Sequence, residues 1–179
     1  MRTLYNILIL SLLLTACATS TPEQHLAKQT VQAQAADQQV LIYQIQTNFL
    51  DNISPEGAYT RVRFVNTGNR PIVAIAFEAV PYAHGEPILS TVTDPVVFGA
   101  KGDFEPGKRY AVLSAKPVWS GSWGRVDCVH LVGLVLQYAD GQIEKIDRGQ
   151  ITHYLTSEIA PQNCSQPSHP NNYIPLHSK

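Results

Sequence analysis

Residues 125–147 read "RVDCVHLVGLVLQYADGQIEKID". Two extended apolar runs flank Asp140-Gly141, and Asp-Gly between such runs favours the positive backbone angles of a type I′ hairpin turn. A period of two along the first arm puts Val126, Cys128, His130 and Val132 on one face. Val129, Leu131, Gly133, Val135 and Gln137 fall on the other. The segment therefore reads as two antiparallel strands, and the question becomes how many more strands accompany them.

Working upstream, "VLIYQIQTNF" (40–49) alternates with Leu41, Tyr43, Ile45 and Phe49 on one side and Gln44, Gln46 and Asn48 on the other. "AYTRVRFVN" (58–66) alternates again, with Arg61 and Arg63 facing away from Val62 and Phe64. The Asn, Gly and Pro of "NTGNRP" (66–71) make a turn. The nearly continuous apolar run "IVAIAFEAVPY" (72–82) that follows suits a central strand. Gly85, Pro87, Pro95 and Gly99 break the next stretch into short edge strands and loops. "EPGKRYAVLSA" (105–115) restarts a strand after a Pro106-Gly107 turn, and "QITHYLT" (150–156) has the composition of one more. Seven or so short strands, with no convincing amphipathic helix after residue 40, predict an all-β, two-sheet antiparallel sandwich, a closed barrel being the alternative.

The amino-terminal segment carries an address. Arg2, the apolar run Leu4–Leu14 and the small pair Thr15-Ala16 have the layout of a secretory signal, too short for the roughly 20 residues of a membrane span. Leu14-Thr15-Ala16-Cys17 resembles the bacterial lipobox, in which cleavage occurs before a cysteine already carrying diacylglycerol. The resemblance implies a signal peptide over 1–16 and a lipidated Cys17. The competing reading is an ordinary signal peptide beside a free cysteine. Two or more acyl chains give stable membrane attachment. Ala18, where such lipoproteins carry Asp when retained at the inner membrane, implies the outer membrane, facing the periplasm, with the cell surface as the other orientation. Residues 17–38, rich in Ala and Gln, read as a flexible lipidated tether spanning roughly 25 Å, although the composition also suits a helix with a thin apolar face. The domain is then 39–158, followed by a Pro-rich tail over 159–179.

Removal of 1–16 leaves 163 residues, enough for one domain. The balance of 12 basic and 14 acidic side chains lacks the basic stripe that nucleic acid requires. With Cys17 committed to lipid, Cys128 and Cys164 form an even pair in an oxidising compartment, expected to be a disulfide or else two separate thiols. Closing about 37 residues would stabilise by roughly 4 kcal/mol in the chain-entropy picture.

A family resemblance also lies in the residues. "RVRFVNTGNRPIVAIAFEAVPY", "FEPGKRY", a tryptophan pair and "CVHLVGLVLQYADGQIEKI" look like bacterial immunoglobulin-like secreted and lipid-anchored domains of largely unassigned function. The likeness covers about 58–147 and implies the sandwich fold more than any activity. Both tryptophans precede Cys128, so the antibody-type disulfide framework is not implied.

Chemistry is sparse. His25, His84, His130, His153, His169 and His177 are scattered without HExxH or paired Cys-x-x-Cys spacing, so no metal site is assigned. Cys128-Val129-His130 places two ligand types on one strand face, a pattern that a structural role explains better than a metal site does. "WSGSWG" (119–124) lacks the spacing of a nucleophile elbow, and the acid pair Asp94 and Glu105 cannot be placed by sequence. Lys101-Gly102-Asp103 resembles an integrin-binding tripeptide, a pattern common by chance. Trp119 and Trp123 among Ser and Gly form a candidate binding loop or plug the end of the sandwich. The expectation is a non-enzymatic, cofactor-free, lipid-anchored envelope protein that binds an envelope partner as an accessory subunit. The alternative is a ligand-binding or enzyme-inhibitor module using the Trp119–Trp123 loop.

Overall fold

The computed structural model describes residues 21–49, 57–120 and 126–159. Its elements run α1 (Pro22–Ala35), β1 (Val40–Phe49), β2 (Gly57–Asn66), β3 (Ile72–Ala83), β4 (Glu86–Pro87), α2 (Leu89–Thr93), β5 (Val96–Phe104), β6 (Arg109–Leu113), β7 (Trp119–Ser120), β8 (Cys128–Tyr138) and β9 (Ile143–Ile146), with a closing 3₁₀ helix at Ile151–Tyr154. Two antiparallel sheets form a sandwich. Sheet A has the order β1-β2-β6 with β7 also on β2, and sheet B has β4-β3-β8-β9 with β5 also on β3.

The core lies between the sheets. Phe64 of sheet A meets Phe77 of sheet B at 6.3 Å between ring centroids, and touches Phe104 at 5.5 Å and Tyr110 at 5.7 Å. Ile42, Val62, Ile75, Leu134, Leu136 and Ile146 complete it, each fully buried. The run 72–82 is central as expected, since β3 pairs with β8 on one side and with β5 and β4 on the other.

Three single-residue bulges correct the faces read from the period of two. Val132 has no partner, because Glu78 pairs Gly133 while Ala79 pairs Leu131. Val129 and Leu131 point into the core before it, but Leu134, Leu136 and Tyr138 do so after it, leaving Val135 and Gln137 outward. A one-residue insertion flips every later side chain to the opposite face. Tyr43 is unopposed in the same way. Val40, Ile42 and then Ile45 face the core, and Leu41 lies outside it. Val73 is the third.

The turns obey their chemistry with one correction. Lys108 N–H donates to the Glu105 carbonyl at 3.3 Å across Pro106-Gly107, with Gly107 at φ +73°. At Asp140-Gly141 the expected type I′ geometry is absent: Gly141 alone has a positive φ, +85°, and Asp140 does not. The Gly141 N–H donates to the Tyr138 carbonyl at 3.0 Å, and the Tyr138 N–H to the Gln142 carbonyl at 2.9 Å. That is a three-residue hairpin loop closed by a glycine bulge. Asn66, fully buried, ties the neighbouring turns together: its side-chain amide donates to the carbonyls of Phe104 (2.7 Å) and Arg70 (2.9 Å) and accepts from the Gly68 N–H.

Four expectations about local structure fail. The stretch broken by Gly85, Pro87, Pro95 and Gly99, expected as short edge strands and loops, holds the short helix α2 and a nine-residue strand, β5, that runs through Gly99. Residues 150–156 make a 3₁₀ helix and an isolated parallel bridge of Leu155 to Ile42 rather than a strand. Ile159, assigned to the tail, is buried in the core. Residues 17–38 do not read as tether throughout, because Pro22–Ala35 is helical. Thr21 and Gln24 form a reciprocal capping box with Pro at the first turn. The far end closes with Gln38 N–H to the Ala33 carbonyl and Asp37 N–H to the Gln34 carbonyl, Asp37 sitting at φ +55°, the pattern of a Schellman cap.

Candidate interaction surface

Helix α1 is docked. Ala33 is buried against sheet A and shares a polar cleft of about 420 Å³ with Leu41, Leu155 and His153. Leu41 and its cross-strand partner Val65 are both buried, though neither belongs to the inter-sheet core. Arg109 grips Glu23 with two hydrogen bonds, 3.0 and 2.8 Å. The Arg109 side-chain hydrogen bonds hold the Glu23 carboxyl below its ordinary value. Gln29 Nε2 donates to Ser157 Oγ at 2.8 Å, and His25 contacts Glu158. Burial opposes the Glu158 charge, but a backbone hydrogen bond, Gln29 and His25 outweigh it and lower its pKa.

Elsewhere the outward side of sheet A is mostly polar. The register sets Gln44, Arg63 and Ala111 in one row and Gln46, Arg61 and Leu113 in the next. This is the ordinary outcome for an antiparallel sheet with one solvated face.

Sheet B departs from it. Its outward rows are Ile143, Gln137, Ala74, Lys101 and then Lys145, Val135, Ala76, Gly99. Ala74, Ala76, Gly99 and Val135 pave a shallow trough of about 380 Å³, with Ile143 and Gln137 on one wall and Lys101 on the other. Ile143 is 65% exposed, and Val97, further along β5, is 63% exposed. Gly99 is needed here because a Cβ would come within 2.1 Å of the Ile75 carbonyl oxygen. At the inner end of the trough Glu78 lies across Gly133 and pairs with Lys145 at 3.3 Å. A contiguous apolar surface of small side chains rimmed by polar ones is the kind of patch that marks an interaction site.

Of the residues singled out by sequence, Lys101 borders the trough and the other described ones lie elsewhere. Cys17, Trp123 and Cys164 fall outside the described residues. Cys128 opens β8 opposite Tyr82. Trp119 is half-buried in β7, paired with Ala58 and packed on the core, which accords with the plug reading for that residue. His130 packs at a tilt against Tyr82, with ring centroids 4.4 Å apart. Lys101 and Asp103 are exposed on β5. Among the described residues, no group of three His, Cys, Asp or Glu side chains is placed to hold a metal. The near-continuous apolar run "IVAIAFEAV" marks a central strand and does not by itself show the trough. Its alternating Ala74 and Ala76 were the available signal.

No protein-family model matches the chain, and no curated protein matches it. Among solved structures, the X-ray structure of Northeast Structural Genomics Consortium target SoR45 is similar at 11% identity, with a TM-score of 0.33 over 62% of this chain and 83% of that one.

Proposed function

We propose that this chain is a non-enzymatic envelope lipoprotein, anchored through Cys17 at the periplasmic side of the outer membrane, that binds another envelope protein through the trough of sheet B. The observation that carries the binding reading is the Ala/Gly-paved surface between Ile143 and Lys101, an apolar face left open among the described residues. Small side chains let a partner backbone or apolar side chain approach the sheet closely, and the polar rim fixes its orientation. The anchor reading rests on the Leu14–Cys17 motif. A photo-cross-linking side chain at Gln137, on the rim, should yield one stoichiometric protein adduct in intact cells, and Ile143→Asp or Ala76→Asp should abolish it. Absence of an adduct, or indifference to both variants, overturns the binding reading. Intact mass showing an unmodified Cys17 overturns the anchor. Pairing of Cys128 with Cys164 belongs to the same proposal. Unreduced peptide mapping should join "VDCVH" to "QNCSQ", and linkage to any other cysteine refutes it.

A further inference from the structure

We propose that the part of the outward face of sheet A that no described residue covers is a membrane-contact surface, lying against anionic lipid headgroups of the bilayer that holds the Cys17 lipid and turning the trough of sheet B away from the membrane. The inference rests on the lipid-anchor reading and adds to it an orientation.

The docked helix sets the geometry. A free tether over 17–38 would leave the domain roughly 25 Å from its anchor with no preferred face. Because α1 is bound to the domain, the connection from Cys17 to the helix is the five residues to Pro22, which reach at most about 18 Å even fully extended. The helix begins beside sheet A: Glu23, its second residue, is gripped by Arg109. Arg109 alternates with Ala111 and Leu113 along β6, so all three share the outward face. The anchor therefore enters on the side where Arg61 and Arg63 stand.

That face suits a lipid surface. Its two open rows, Gln44–Arg63–Ala111 and Gln46–Arg61–Leu113, contain no carboxylate. Neither Arg61 nor Arg63 forms an ion pair with another described residue. Guanidinium groups bind phosphate through paired N–H donors, and Leu113, 49% exposed beside Arg61, is placed to enter the headgroup layer between them. Each basic side chain near an anionic bilayer favours contact by about fivefold, an effect confined to roughly one Debye length. A short leash keeps the arginines inside that range. The two sheets are packed face to face, about 10 Å apart, so the outward side of sheet B points the opposite way.

The test uses the mature full-length chain, lipidated on Cys17, in vesicles of phosphatidylcholine alone or mixed with phosphatidylglycerol. An azide-bearing side chain replaces exposed Ala111 or exposed Gln137 and takes a fluorophore, with a quencher on the lipid headgroups. In the anionic vesicles the position-111 label should be quenched several-fold more than the position-137 label. Arg61→Glu with Arg63→Glu should collapse that ratio, and so should high salt. Equal quenching at the two positions, stronger quenching at 137, or a ratio indifferent to the double variant overturns the proposal. Arg63→Gln alone, read the same way, should reduce the ratio partially and serves if the double variant unfolds. If intact mass shows Cys17 without lipid, the anchor reading has failed by itself. Coupling Cys17 to a maleimide lipid then asks the orientation question separately, with the same outcomes.

Discussion

On sheet A the outward side chains of β1 and β2 run Gln44, Gln46, Arg61, Arg63, whereas on sheet B those of β3, β5 and β8 run Ala74, Ala76, Gly99, Val135. Sheet A does have outward apolar residues, Leu41 and Val65, and both are buried beside the docked helix. Apart from Ala111 and Leu113, the open rows of sheet A are polar. Sheet B breaks that pattern: its outward apolar residues include Ile143 and Val97, each more than half exposed. Burial of apolar surface contributes about 25 cal/mol per Å², so an open apolar face forgoes stabilisation that the chain obtains on the other sheet. The difference separates a face whose larger apolar residues are partly covered by α1 from one whose apolar residues no described residue covers.

The comparison breaks first at Gly99. Gly99→Val places a Cβ against the Ile75 carbonyl and should destabilise by about 3 kcal/mol through overpacking and loss of β3–β5 pairing. Ala111→Val, on the exposed outward face of sheet A, should change stability by no more than about 0.5 kcal/mol. Denaturant midpoints measure both, and equal effects would mean that the small residues of sheet B have no structural role.

Next is the cover of sheet A. Leu41→Ala should cost about 2 kcal/mol and loosen α1, seen as faster amide exchange over residues 24–35. Exchange that stays slow would show the helix to be held by its ion pairs instead of by burial.

Gly141→Val tests the hairpin at the end of the trough. A β-branched residue at φ +85° is strained even though no atom lies within 4 Å of the added Cβ. The expected loss is about 1 kcal/mol or more, and an unchanged midpoint would contradict the glycine-bulge geometry.

The smallest effect is electrostatic. Glu23 has its pKa lowered by Arg109 from an ordinary 4.5. A depressed folded value means that its contribution is fully present above the unfolded value and is lost as pH falls through the lower folded one. Stability should therefore be indifferent to Glu23→Gln as regards slope near neutrality, while the wild type alone shows a small extra loss in the acid range below 4.5. Parallel pH profiles for the two proteins would place the helix contact elsewhere. The pair is exposed and screened, so added salt should shrink the difference.

How much of this was legible depends on the range of the interaction. The two-sheet antiparallel sandwich, the central run at 72–82 and the Pro106-Gly107 turn could be read locally, because backbone propensity and a period of two act over neighbouring residues. The capping signals of α1, Thr21-Pro22 and Gln24, are local too, and the Ala/Gln composition already allowed a helix. Its docking was not readable, since the cover it provides involves Leu41, Val65 and Arg109, distant in sequence and adjacent only in the folded chain. The trough was illegible for a related reason: Ala74, Gly99, Val135 and Ile143 come from four strands and share a face only through their register.

By itself the sequence determined most of the strands and the turn positions, set by side-chain type and short-range sterics. Tertiary structure decided which side chain of each strand points inward. An unopposed residue at Tyr43, Val73 or Val132 reverses the alternation, and whether a residue is left unopposed depends on its partner strand. Pairing is a relation between distant segments, whose free energy is gained only when both are in place.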